Sequence, residues 1–292
     1  MNIAVIPKGT THEFWKSVHA GADSAGKELG VNILWKGPLQ ENDRAQQIGI
    51  VDQFVASNVS AIVLAPLDDT ALQTPVRSAS TKKIPVVIFD SALKGEAGKD
   101  YASLVATNNY KGGTLAGEAL SKLLNGKGSV VLLRYQEGSA STQERENGFT
   151  DAIKKSPGIT ITVNNRYSGA TVGEAKSASM QLIDKLKTAD GIFCPNESST
   201  FGMLLALRQN NLAGKVKFVG FDTSQPLLDA LKKGEVNALV AQNPNKMGYE
   251  SVKAAVSAAR GEKVSTSIDT GVTVINPANL ESSEVKTLLG GA

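Results

Sequence analysis

Two aspartates carry the clearest chemical signal in this chain, because each stands where an apolar run stops. Ile84-Pro85-Val86-Val87-Ile88-Phe89 leads into Asp90, and Val216-Lys217-Phe218-Val219-Gly220-Phe221 leads into Asp222. Such runs read as strands buried in a parallel sheet, and open α/β sheets take their ligands just beyond the carboxyl ends of those strands. Other polar groups leave strand-like runs in the same way: Lys8 after Asn2 to Ile6, Asn109 after Ala102 to Thr107, Asn196 after Gly191 to Cys194, and Gln242 after Ala238 to Ala241. Arg145 stands among Glu144 and Glu146 at the head of a helix-period segment. A carboxylate accepts two hydrogen bonds side by side, a guanidinium donates two, and a carboxamide does one of each. Phe14 and Trp15, just after His12, add flat apolar surface. Such a set grips a small guest whose groups both donate and accept.

The elements that must position these residues alternate along the chain. Helix periodicity marks Phe14 to Leu29, Ala45 to Ser57, Thr114 to Leu124, Glu144 to Lys155, Lys176 to Leu186, Thr200 to Asn210 and Met247 to Ala259, with apolar strand-like runs between them. This is the βαβ pattern of α/β folds with parallel sheets. The plan of the first ~105 residues recurs in the rest, which predicts two Rossmann-like lobes. The lobes comprise residues 1–106 plus 242–270 and residues 107–241 plus 271–292, joined by a three-strand hinge that lets them close on something small.

Composition narrows the classes further. At 292 residues the chain exceeds what one core usually holds, and 41% hydrophobic content supplies two. A formal net charge of +3 with 20% charged residues gives no electrostatic footprint for nucleic acid or an anionic membrane. Cys194, the single cysteine, excludes an intrachain disulfide and a thiolate cluster, and its place in an apolar strand predicts a buried, inert thiol. With only His12 and His19 as histidines, no metal site is expected. The turn Pro7-Lys8-Gly9-Thr10-Thr11 has neither the spaced glycines of a dinucleotide site nor a phosphate loop, and no nucleophile elbow occurs. No catalytic residue and no cofactor are therefore assigned.

Six stretches in order carry a family resemblance: Ile3-Ala4-Val5-Ile6, His12-Glu13-Phe14-Trp15, the strand into Asp90, Gln143-Glu144-Arg145-Glu146-Asn147-Gly148-Phe149, Val219-Gly220-Phe221-Asp222 and Ala241-Gln242. With them the chain resembles the type I periplasmic sugar-binding proteins, most closely the ribose-binding group, and the ligand domains of lactose-repressor-type regulators. The resemblance implies a non-enzymatic, extracytoplasmic protein. It would capture a monosaccharide or related polyol by hinge closure and deliver it to an ABC permease. A chemoreceptor is a further partner it implies, and the expected state is a monomer. On this resemblance Arg145 and Asp222 grip hydroxyls from the second lobe and Asp90 from the first, with Asn108 or Asn109, Asn196 and Gln242 as carboxamide partners and Phe14 and Trp15 as the stacking pair. Lys8 and His12 stand where ribose binders carry a small polar residue and an asparagine, and Ser91 replaces an arginine.

Competing readings attach to the same residues. Asn196 and Asn108 could cap helices, Arg145 could be a solvated helix charge, and Phe14 or Trp15 could be core. Ile6-Pro7-Lys8 and Pro195 also resemble receptors for the furanosyl signal autoinducer-2, although the Asp-Gln pair of those receptors appears here as Gln143-Glu144. A truncated regulator is the other alternative; such proteins carry a DNA-binding head before the first strand.

Overall fold

The computed structural model describes residues 1–290. Contacts divide the chain into two units. The first is Met1–Thr107, Glu137–Ser141 and Asn243–Thr270; the second is Asn108–Gln136, Thr142–Gln242 and the chain from Gly271 on.

The first unit holds β1 (Asn2–Ile6), α1 (Glu13–Leu29), β2 (Asn32–Trp35), α2 (Arg44–Ala56), β3 (Ala61–Leu64), α3 (Gln73–Thr81), β4 (Val86–Phe89) and β5 (Ser103–Ala106). The second holds α4 (Asn109–Leu123), β6 (Lys127–Arg134), most of α5 (Ala140–Lys154), β7 (Gly158–Tyr167), α6 (Val172–Gln181), α7 (Ile183–Leu186), β8 (Gly191–Phe193), α8 (Glu197–Gln209), β9 (Lys217–Phe221), α9 (Gln225–Lys232) and β10 (Ala238–Gln242). The chain then returns to the first unit for α10 (Pro244–Ala259) and β11 (Ser267–Asp269), and ends in the second with β12 (Val272–Ile275) and α11 (Ser283–Leu288).

Each unit has one six-stranded sheet, ordered β11-β5-β4-β3-β1-β2 in the first and β12-β10-β9-β8-β6-β7 in the second. Among the described residues every strand pairing is parallel except β10 with β12. In both sheets the strand order reverses beside the first strand of the unit, and open α/β sheets take their ligands at the carboxyl ends beside such a reversal. Alternation along the strands fills both faces: Ile3 and Val5 pack with Trp15, Val18 and Met247, while Ala4 and Ile6 pack with Ile50, Val51 and Phe54. The same holds for Leu133 and Leu132 in the second unit. Burying apolar side chains on both faces is worth about 25 cal/mol per Å² removed from water, which keeps these strands central.

Several helices begin about one turn before their apolar periodicity starts, at Asn109, Val172, Glu197 and Pro244. Polar caps explain this: Asn108 accepts from the Lys111 amide, Thr171 from Glu174, Asn196 from Ser199 and Asn243 from Lys246. Edge strands β2, β7 and β11 are additions to the expected set, being too polar or too short to read as buried runs.

The unit boundaries differ from the expected ones at three places, the first being Thr107, which lies in the first unit. Gln242 lies in the second unit as the last residue of β10, paired with Val272. Glu137–Ser141, between β6 and α5, lies with the first unit because that unit satisfies its polar groups. Asp69 donates its amide to the Gly138 carbonyl at 2.9 Å, Arg44 donates to the Glu137 carbonyl at 3.2 Å, and the Ser141 amide donates to Ser91 Oγ at 3.1 Å.

Candidate functional site

In the first unit the carboxyl ends of the strands carry Lys8, Glu41, Asp68 and Asp90 on successive loops. Asp90 sits at φ 61°, in the left-handed region, and its amide donates to the Val105 carbonyl at 3.0 Å. Of the six non-glycine residues with positive φ among the described residues, the other first-unit ones, Asn58 and Lys83, follow helices, as helix C-termini commonly require. Asp90 follows a strand, and a left-handed aspartate there costs of order 1 kcal/mol or more unless its surroundings hold it. Lys8 holds it: Nζ lies 3.1 Å from Asp90 Oδ2 and donates to Ser141 Oγ at 2.9 Å, with both charged groups buried. Gln47 locks the loops beneath, donating Nε2 to the Pro7 and Ala65 carbonyls at 3.0 and 2.7 Å while its Oε1 accepts from the Leu67 amide.

Beside this pair stands a second buried cluster. Glu41 Oε1 lies 2.9 Å from His12 Nδ1 and accepts from Trp15 Nε1 at 2.8 Å. Burial alone pushes the Glu41 carboxyl up, but the fields of His12 and Lys8 and the bonds from His12 and Trp15 outweigh it and hold the pKa at about 2. Trp15 is buried in the core, edge-on to Phe14 at 4.9 Å and to Phe89 at 6.1 Å, whereas Phe14 is half-buried. Of the aromatic pair, Phe14 is therefore the more accessible ring and Trp15 packs against it.

The second unit repeats the design with different chemistry. Asp222 sits at φ 71° after β9, its amide bonded to the Val240 carbonyl at 2.9 Å. Its Oδ1 accepts from Gln242 Nε2 at 2.7 Å and its Oδ2 from the Glu197 amide at 2.8 Å, at the positive end of α8. Asn196 caps that helix, with Oδ1 accepting from the Ser199 amide at 3.2 Å and Nδ2 donating to Ser198 Oγ. It thereby fixes the turn that presents the Glu197 amide. Because a carboxylate only accepts, the Gln242 amide must turn its nitrogen to Asp222, and its Oε1 is left buried without a hydrogen-bond partner, the residue being 4% exposed.

Arg145 is 2% exposed, not a solvated helix charge. Its Nε donates to Asn109 Oδ1 and its Nη1 to the Pro195 carbonyl, both at 2.9 Å, and its guanidinium lies 4.0 Å from the centre of the Phe221 ring. Asn108 caps α4, leaving Asn109 for the arginine. Close helix packing permits this: a Cβ on Gly113 would stand 1.9 Å from the Arg145 carbonyl oxygen. The next residue, Glu146, takes 2.6 Å from Arg134 Nε and accepts from the Tyr135 amide, yet its burial prevails and raises its pKa. Burial likewise pushes the Cys194 thiol well up, as expected for an inert cysteine.

Lys8, His12, Phe14, Trp15 and Asp90 thus gather in one unit, and Asn109, Arg145, Asn196, Asp222 and Gln242 in the other. Sequence reasoning missed Glu41 and Gln47. Glu41 was accessible through the strand-end rule, since it stands on the loop after β2, but that strand was not recognised. Among the described residues no cluster of histidine, cysteine and carboxylate could hold a metal ion, and no helix is long and apolar enough to cross a membrane.

Comparison with known proteins agrees with this geometry. A solute-binding protein of an ABC transporter from Agrobacterium vitis, solved with bound D-fucose, superposes with a TM-score of 0.94 at 36% identity, covering 98% of this chain and 99% of that one. A carbohydrate transporter solute-binding protein from Agrobacterium radiobacter, solved with D-arabinose, gives 0.93 at 33% identity and covers 98% of each. The D-allose-binding periplasmic protein of Escherichia coli K12 is 27% identical over 266 residues, 89% of this chain and 85% of that protein. The model of the periplasmic binding protein domain matches residues 3–263, and on that match, two like six-stranded sheets and these superpositions the chain belongs to the periplasmic binding protein domain family, with the type I fold.

Proposed function

We propose that this protein captures a monosaccharide or related polyol and delivers it, chemically unchanged, to an ABC importer. The observation that carries the reading is the pair Gln242 and Asp222. Gln242 Oε1 is a buried acceptor whose partner must be a donor, while its nitrogen is committed to Asp222. A hydroxyl supplies that donor and keeps its own oxygen as an acceptor, the chemistry that a guanidinium such as Arg145 complements. Asp90, held by Lys8, and Phe14 provide the corresponding acceptor and apolar ring in the first unit. The sugars bound in the related structures, D-fucose and D-arabinose, offer the same hydroxyl-rich chemistry.

The mechanism in this reading is a population shift. A sugar engaged by one unit's groups gains the bonds of the other unit's groups only in a closed form, and it favours that form by the difference in its affinity for the two. A guest lacking one hydroxyl leaves a buried polar group unpaired, at a cost of about 1–3 kcal/mol, which sets selectivity. The work is done outside the cytoplasm, as in the family at large. The permease reads the closed form, a chemoreceptor is a second reader, and the protein acts as a monomer. Calorimetry with pentoses, hexoses and polyols, including D-fucose, D-arabinose and D-allose, tests this. At least one is expected to bind with unit stoichiometry, and Asp222→Ala or Arg145→Ala to weaken it at least tenfold with the fold intact. Failure of the whole panel, or unchanged affinity in both variants, would overturn it.

A further inference from the structure

Glu41 is a buried carboxylate outside the set assigned to the ligand. It lies in the loop between β2 and α2, and a single oxygen, Oε1, faces two donors from the start of α1: His12 Nδ1 at 2.9 Å and Trp15 Nε1 at 2.8 Å. His12 is the N-cap of α1, yet its side chain makes no capping bond; the ring is turned to Glu41 instead. A carboxylate cannot donate, so the ring nitrogen facing it must carry the proton, and the opposite nitrogen, Nε2, becomes an acceptor whenever the ring is neutral. The indole has one donor, so rotating Trp15 breaks its bond to Glu41. Trp15 in turn meets Phe14 edge-on, at an interplanar angle of 86°.

We propose that Glu41 is the positioning residue of the first unit's ligand-facing cluster. It fixes the proton of His12 on Nδ1 and the orientation of Trp15, and so determines which ring nitrogen and which face of Phe14 a sugar meets. The consequence for affinity rests on the sugar-binding reading above; the contact itself does not. A merely structural acid would alter stability alone, whereas a positioning acid also alters the chemical state of His12 and the selectivity of the site.

The test uses the full chain, labelled with nitrogen-15, first without sugar. Trp15→Phe assigns the Trp15 indole resonance and His12→Asn assigns the His12 ring. The expected result is a proton on His12 Nδ1, the nitrogen that faces Glu41. In Glu41→Leu, which removes the acceptor that a glutamine would keep, the His12 Nδ1 and Trp15 indole protons should both move upfield. A His12 ring without a proton on Nδ1 in the unsubstituted protein, or unmoved His12 and Trp15 resonances in Glu41→Leu, would overturn the proposal. Should Glu41→Leu fail to fold, the Nδ1 proton in the unsubstituted protein decides alone. Calorimetry with the best sugar of the panel then reads the function. Glu41→Leu should weaken binding at least tenfold, and the double variant with His12→Asn should be no weaker than the worse single one. Additive losses would show that Glu41 does not act through His12. If no sugar binds the unsubstituted protein, the sugar-binding reading falls while the resonances still decide what Glu41 does.

Discussion

Asp90 and Asp222 occupy equivalent places in the two units, each in a left-handed conformation directly after a buried strand, and the protein stabilises them by different means. In the first unit a carboxylate meets an ammonium at 3.1 Å. In the second, the carboxylate accepts from a carboxamide and from a helix amide, while the nearby guanidinium is held by Asn109, Pro195 and the Phe221 ring. A charge pair tolerates changes of angle but leaves a costly ion behind when one member is lost. Neutral donors demand direction and leave less behind. The first unit thus supplies charge and the second supplies geometry.

The largest expected effect breaks the charge pair. Lys8→Met should lower stability by about 3–5 kcal/mol, since it leaves Asp90 buried without its cation. Gln242→Leu should cost about 1–3 kcal/mol, because Asp222 retains the Glu197 amide. Equal losses in denaturant unfolding would erase the contrast. Next, Phe221→Leu removes the ring under Arg145, an interaction of about 0.5–2 kcal/mol. Sugar affinity should fall several-fold together with a lower melting temperature, since Phe221 also fills the core, and a lower melting temperature at full affinity would mean that the ring serves the core alone. Gly113→Ala should sharpen the same point by displacing Arg145 from its partners, read as weaker binding together with a lower melting temperature.

The smallest effect is in pH. Glu41 is held at about 2, below its ordinary 4.5, so its contribution is complete above about 4.5 and is lost as pH falls toward 2. Glu146 is shifted the other way by burial, so its ionisation disfavours the fold as pH rises through its folded value. Glu41→Gln should therefore flatten the acid limb of stability between pH 4.5 and 2, whereas Glu146→Gln should leave that limb alone and remove a loss of stability that sets in as pH rises above about 4.5. Identical acid limbs in the two variants would contradict the assignment.

Much of this was legible in the residues. Both aspartates announced themselves because an apolar run ending in a carboxylate has few other uses, and the alternation of runs and amphipathic segments fixed the α/β class. What stayed hidden had physical causes. Glu41 follows an edge strand whose half-exposed residues give no buried signature, and helix starts were obscured because capping turns are polar. Phe14 and Trp15 read alike in the sequence; adjacency on a helix cannot tell which neighbour turns inward, and here it is Trp15. The side-chain direction of Gln242 depends on Asp222, a residue on another strand that the local sequence does not point to.

Glu137–Ser141 has a practical consequence for anyone who recombines such proteins by halves. A hybrid assembled from two relatives by cutting after Thr107, Gln242 and Thr270 would bring that short loop from the wrong parent. Its serine would then have to satisfy a foreign Lys8 and Ser91. Grafting those five residues along with the first parent should rescue hybrids that otherwise express poorly, so the useful seam in this molecule has five crossings instead of three.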